Sequence, residues 1–364
     1  MKIMFIFFIL LMLGGLTYTL WHVWCILPFP KLWKWMVVAA IAISFLGMFL
    51  IFGGGMEKMS LGMASIVYQI GTSMLFILLY LVMIFIVLDL LRLVHLLPST
   101  YIHDNWAATL SITGFMVVVF AWGNIHYNNK VRVPLQLTTS KPLPKEYKIV
   151  MMSDLHLGYH NHRAEFAHWV DMVNAEHPDL ILIAGDIVDI SVRPLIEENV
   201  AEEFRRLEAP VYACLGNHEF YSSQPKAKEF MAAAGIHLLQ DSNVSIDSCI
   251  CLIGRDDRTN HSRKTLKDLL ADVPQNQYTI VLDHQPYHLE ETAECGVDFQ
   301  LSGHTHRGQV WPISWITDAL YECSWGSYQR DNTHYYISSG IGLWGGKFRI
   351  GTQSEYVVAT LKTN

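Results

Sequence analysis

Two patterns of hydrophobicity divide the chain. Before about residue 125, unbroken apolar runs cover roughly 3–20, 35–53, 66–91 and 107–122, and charged residues are sparse. Beyond it, short apolar runs of strand length alternate with amphipathic stretches and end in polar clusters. A membrane-crossing helix needs about 20 apolar residues. The first three runs meet that need; the fourth, AATLSITGFMVVVFAW, is shorter. Trp21, Trp24, Trp33, Trp35 and Trp122 fall near the ends of runs, where amphipathic rings settle at a bilayer interface. No A-x-A-like cleavage site follows the first run and no twin-Arg start precedes it, so it reads as a retained helix rather than a signal peptide. The expectation is an all-α transmembrane bundle of about four helices over 1–125. Asp89 and Arg92 are spaced to pair at i,i+3, and so few ionisable groups favour an anchor over a transporter.

Loop lysines and arginines orient such a bundle. With four spans, one side holds Lys2, Lys58, Lys130, Arg132, Lys141, Lys145 and Lys148, and the other Lys31, Lys34 and Arg92. The excess predicts that both ends of the bundle face the cytoplasm, in a plasma (inner) membrane. Loss of the fourth span would move the second half of the chain to the outside. Pro134, Pro142 and Pro144 mark 126–147 as a linker.

In the second half, five strand-like runs lead into polar residues. YKIVMMSDLHLG reaches Asp154 and His156; DLILIAGDIVD reaches Asp186; VYACLGNHEF reaches Asn217 and His218. YTIVLDHQP reaches His284, and DFQLSGHTHRG reaches His304 and His306. Phe166, Val170 and Val173, at i, i+4 and i+7, mark a helix between the first two. Core packing gives no reason for Asp, Asn and His to recur at strand ends, whereas open α/β sheets keep their sites there. Seven of these, Asp154, His156, Asp186, Asn217, His284, His304 and His306, form a set of oxygen or imidazole donors without a thiolate. That set suits Mn, Fe, Zn or Co rather than a structural Cys-zinc site. Seven donors exceed the needs of one ion, whereas two ions sharing a carboxylate would use them all.

DLHLG, GDIVD, GNHEF, DHQP and GHTHRGQ, in this order, resemble the calcineurin-like metallophosphoesterase family. The likeness covers about 148–361. It implies an α/β domain over 148–364 with two packed mixed β-sheets flanked by helices. It implies that Asp154, His156 and His306 hold one divalent ion, that Asn217, His284 and His304 hold a second, and that Asp186 bridges the two. His218 matches the family's non-ligand histidine, which stabilises the transition state or protonates the leaving oxygen. Asp189 matches its orienting partner, with a helix-start carboxylate as the alternative. The reaction implied is hydrolysis of a phosphomonoester, phosphodiester or pyrophosphate by a metal-bridging hydroxide.

The tail YYISSGIGLWGGKFRIGTQSEYVVATLK resembles a membrane-anchored branch of this family. That branch often reads GHTHGGQ and carries Pro before its late Arg; here Arg307 replaces a Gly and Lys347 stands where Pro is frequent. Arg307 and Arg349 are therefore candidate substrate-binding residues. His160 and His162 are expected in a solvated loop, His168 and His177 on the surface, His288 near the site, and Asp256 and Asp257 in a structural turn.

Composition narrows the partners. The net charge of −7, with no basic stripe, argues against nucleic acid. None of the six cysteines forms a C-x-x-C pair, which fits a reducing compartment. The expected partners are a lipid bilayer and a phosphorylated small molecule or lipid-linked phosphate. The competing reading, a non-enzymatic metal-binding sensor or scaffold, predicts a lost ligand or a lost His218, and neither is lost.

Overall fold

The computed structural model describes residues 2–52 and 54–364, with side chains from residue 9 onward except Phe52. Lys2, one of the loop charges that orient the bundle, thus lies outside the described side chains. The chain forms two compact units. One holds the residues up to Asn124 together with Gly345–Lys347, and the other holds Ile125–Trp344 and Phe348–Asn364.

The first unit contains α1 (Lys2–Ile26), α2 (Lys31–Phe52), α3 (Leu61–Leu93) and most of α4 (Trp106–Asn128). All four helices are long and apolar enough to cross a membrane. The fourth apolar run is short only as a run, because Asn124, His126, Tyr127 and Asn128 continue its helix with polar side chains. Ser60 caps α3, its hydroxyl accepting from the Met63 N–H. Asp89 and Arg92 pair as their spacing predicts, at 3.2 Å, and Asp89 also accepts from Tyr18 and contacts His22.

In the second unit the described strands build two six-stranded sheets. They are β1 (Lys130–Thr139), β2 (Tyr147–Met152), β3 (Leu180–Ala184), β4 (Val211–Cys214), β5 (His237–Leu238) and β6 (Ser242–Ile246), followed by β7 (Ile250–Gly254), β8 (Tyr278–Leu282), β9 (Phe299–Ser302), β10 (Gly326–Arg330), β11 (Thr333–Ile337) and β12 (Ser354–Thr363). The first sheet runs β1-β12-β2-β3-β4-β5 and the second β10-β11-β9-β8-β7-β6. Both are mixed. β2, β3 and β4 are mutually parallel, as are β7, β8, β9 and β11, while β12 is antiparallel to β2.

Strand alternation sorts the core into layers. Ile149 and Met151 of β2 join Leu180 and Leu182 of β3 against Ile280, Leu282 and Leu301 of the other sheet. Their neighbours Val150, Met152, Ile181 and Ile183 face Phe166, Trp169, Val170 and Val173 on the helix Arg163–Asn174. Strands buried on both faces read as continuous apolar runs, which explains their pattern in the sequence.

One expectation is corrected. The segment 126–147 is not a plain linker, because its residues 130–139 form β1, paired along its length with β12 in parallel register. Pro134 does not prevent this, because β1 is the outermost strand and leaves one edge without ladder bonds to make.

Candidate metal centre

Each candidate residue sits just past the carboxyl end of a strand. Asp154 and His156 follow β2, Asp186 follows β3, Asn217 follows β4, His284 follows β8, and His304 and His306 follow β9. The parallel strands within each sheet end on the same side, so these loops converge.

The donors cluster closely. Potential ligand atoms of Asp154, His156 and His306 lie within 4.8 Å of one another, as do those of Asp186, His284 and His304. Nε2 of His156 and Nε2 of His306 face each other at 3.1 Å. Nε2 of His284 is 3.1 Å from Oδ2 of Asp186, and Nε2 of His156 is 3.7 Å from that same oxygen. Asp186 thus touches both groups of donors. Nδ1 of His284 is engaged with the Ala184 carbonyl at 2.7 Å, which turns Nε2 toward the centre. Several buried donors, among them Asn217 Oδ1 and His284 Nε2, have no protein hydrogen-bond partner of good geometry. Buried polar atoms are normally satisfied, so a cluster of such atoms fits a cation.

The backbone is bent to reach this arrangement. Asp154, His156, Asp186, His304 and His306 all adopt left-handed φ, between 45° and 71°. Such angles are uncommon for residues other than glycine, and strain of this kind gathers at functional sites. Two glycines allow the close approach. A Cβ on Gly216 would lie 2.2 Å from Oδ1 of Asp186, and one on Gly303 would lie 2.3 Å from Oδ2 of Asp154.

Electrostatics separates the residues. Burial, reinforced by His284, lowers His304 to about 4. Burial together with His156 and Arg349 drives His306 well below its ordinary value. Both are held neutral, the form a metal ligand needs. Burial alone would lower His284, but Asp186 and Asp154 raise it well above its ordinary value. Asp186 is correspondingly low, since His284 and His218 outweigh its burial. Asp154 is raised, chiefly by burial.

Asp189 is fully buried. Its Oδ1 lies 3.3 Å from Nδ1 of His156 and 3.2 Å from Nδ1 of His218. The two histidines outweigh burial and hold its carboxyl well below the usual range. Burial would lower His218, but Asp186 and Asp189 raise it to about 9.

The structure therefore brings six candidate ligands together with His218 and Asp189, and Asn217 precedes His218, whose N–H donates to Asp186. It corrects Arg349, which is fully buried and turned toward the protein. Its guanidinium donates to the carbonyls of His306, Ser339, Gly340 and Gly342, and to Ser354 Oγ. Arg307 is half-buried, with its guanidinium stacked 4.1 Å over the Trp325 ring. His160 is buried rather than solvated, and His162 contacts Glu198. His168 and His177 are exposed. His288 is exposed and contacts Glu290. Asp256 and Asp257 are buried in a hydrogen-bonded turn with Asn260 and Thr259.

Sequence reasoning missed Glu219. This buried carboxylate accepts from the N–H groups of Asp186, Gly216 and Val188, tying two ligand loops together. Burial, with Asp186 adding to it, pushes it up to about 7. Its signal was the acid of GNHEF, a residue type with no ligand role to betray it.

The sequence profile described as calcineurin-like phosphoesterase matches residues 147–308. An uncharacterised metallophosphoesterase of Aquifex aeolicus is 31% identical over 245 residues, covering 64% of this chain and 92% of its own. The chain belongs to the calcineurin-like phosphoesterase family. This metallophosphoesterase is also 29% identical to a Campylobacter jejuni relative, itself an uncharacterised metallophosphoesterase, over 65% of each chain. A zebrafish protein named as a transmembrane protein with a metallophosphoesterase domain is 29% identical over 59% of this chain and 53% of its own. The chain thus spans between half and two thirds of the length of those last two relatives. The family is one of hydrolases, and the four apolar helices, with the name of the zebrafish relative, point to a membrane protein.

Proposed function

We propose that the protein is a membrane-anchored dinuclear-metal phosphohydrolase acting on a phosphate ester or anhydride, with a lipid-linked phosphate as its substrate. The observation that carries this reading is the convergence of oxygen and imidazole donors in two groups, Asp154, His156 and His306 and Asp186, His284 and His304, with Asn217 Oδ1 buried and without a hydrogen-bond partner. Asp154, His156 and His306 would hold one ion, Asn217, His284 and His304 the other, and Asp186 would touch both. Ions so held would lower the pKa of water and neutralise charge on the phosphoryl oxygens.

The chain's own residues supply the rest. His218 engages Asp189 through Nδ1, leaving Nε2 to meet a leaving oxygen. A side chain raised to about 9 is protonated at neutral pH, as a general acid must be. Asp189 orients both that ring and His156. Arg307 is the remaining candidate for substrate contact, beside Trp325. Arg349 positions the His306 loop instead.

The test is hydrolysis of bis-(p-nitrophenyl) phosphate by the full chain in detergent, stripped of metal and reloaded with Mn, Fe, Zn or Co. Metal-dependent turnover lost in Asp186→Asn is the expected result. No turnover, with no second metal bound, would sink the reading.

A further inference from the structure

The loop that carries His304 and His306 continues into a helix, Ile313–Leu320, whose apolar face points outward. Pro312, Trp315, Ile316, Ala319 and Leu320 follow the i, i+3, i+4, i+7, i+8 pattern of a single helix face. In a water-soluble domain that face would be turned into the core. Here Trp315, Ile316 and Leu320 are 64%, 57% and 69% exposed, and Trp311 extends the patch with its ring 5.3 Å from that of Trp315. Of the other large apolar side chains exposed beyond Asn128 among the described residues, Ile196 and Tyr221 are far from this stretch in sequence, and Tyr287 packs on Tyr321 at its end. A contiguous patch of this kind marks an interaction surface, whereas scattered residues do not.

Both ends of the helix meet the metal-ligand loop. At its start, a Cβ on Gly308 would lie 2.5 Å from the Ile313 backbone, so the helix rests on the turn that holds His306. At its end, the Tyr321 ring lies 6.4 Å from the His304 ring, and its hydroxyl accepts from that of Tyr287 at 2.9 Å. The apolar face therefore borders the candidate centre.

Two observations choose the occupant. The first is composition: Trp315 in the helix and Trp311 just before it lie beside Ile316 and Leu320, and tryptophan beside aliphatic side chains is what the lipid-facing side of an interfacial helix carries. The second is attachment. The last turn of α4 belongs to this unit, where Tyr127 is buried and donates to Asn161 and Glu165. One residue, Asn129, separates α4 from β1. The domain therefore begins, in sequence, where a candidate span ends.

We infer that the helix Ile313–Leu320 inserts its apolar face into the lipid bilayer and holds the metal centre at the headgroup layer. Headgroup phosphates would then be presented to that centre from the membrane side. The statement about substrate rests on the hydrolase reading above; the insertion itself does not.

The experiment places the full chain in nanodiscs of phosphatidylethanolamine and phosphatidylglycerol doped with a phosphatidylcholine that carries a diazirine in the middle of one acyl chain. After irradiation, lipid adducts are mapped by mass spectrometry. Adducts on Trp311, Trp315, Ile316 or Leu320 are expected, falling about tenfold or more in I316E/L320E while those on α1–α4 persist. Adducts confined to α1–α4 would overturn insertion. Turnover of bis-(p-nitrophenyl) phosphate is read separately. A chain that takes the adducts and hydrolyses nothing would refute the hydrolase reading and leave the insertion standing.

Discussion

Arg349 shows how a side chain of obvious chemistry can serve the backbone instead. Its guanidinium satisfies four carbonyls, including that of His306, in a place without solvent. Burial lowers it to about 10, with Glu355 and Asp154 opposing, so it stays charged at neutral pH. Arg349→Met leaves those carbonyls unpaired, and each buried orphan costs about 1–3 kcal/mol. The expected result is a clearly lower unfolding temperature and weaker metal retention, measured by thermal denaturation and metal analysis. A lone rise in KM would restore a substrate role. Asp189 makes a second case. Its Oδ1 holds both His156 and His218, so Asp189→Asn weakens metal affinity by about 10- to 100-fold. Competition with a chromogenic chelator measures that loss. An unchanged affinity would limit Asp189 to orienting His218.

Among the elements, the turn after β9 is tightly constrained. Gly303→Ala would force a Cβ to within 2.3 Å of Asp154 Oδ2 and 2.6 Å of the Ser153 side chain. Crowding of this kind costs about 1–3 kcal/mol, and here it would displace a candidate ligand. The expected outcome is a protein that folds and retains less metal, checked by circular dichroism beside metal content. On the far side of the first sheet, Glu203 receives Arg163 and Arg206. Burial would raise its carboxyl, but Arg206 and Arg163 hold it below the usual range. A depressed folded value means that the contribution is present above the unfolded pKa, about 4.3, and is lost as pH falls through the folded value. The stability gap between wild type and Glu203→Gln should therefore shrink from neutral pH toward about pH 3. A gap that stays constant would show that the charge is immaterial.

For the whole molecule, four crossings would put the start of the chain and the hydrolase domain on one side. The Lys and Arg excess there predicts the cytoplasmic side. In bacterial spheroplasts expressing the chain, external protease should spare both an N-terminal tag and the domain. Digestion of the domain would reverse the orientation and point to a span that does not cross.

The five strand-end motifs were legible because each keeps its ligands within a few residues of one apolar run. The spans were legible because a bilayer core demands apolar length. Linear order also carried the pairing of Asp89 with Arg92, a local matter of helical spacing. Only the tertiary structure could decide what depends on distant neighbours. Val133, Leu135 and Leu137 alternate with polar residues as a strand should, yet the three prolines read as a linker until β12, more than 200 residues away, supplied the partner. Arg349 read as a substrate ligand until the carbonyls it serves were seen. The outward face of Ile313–Leu320 is the plainest case: periodicity defines a face, but its direction is set by whatever the rest of the chain packs against the opposite side.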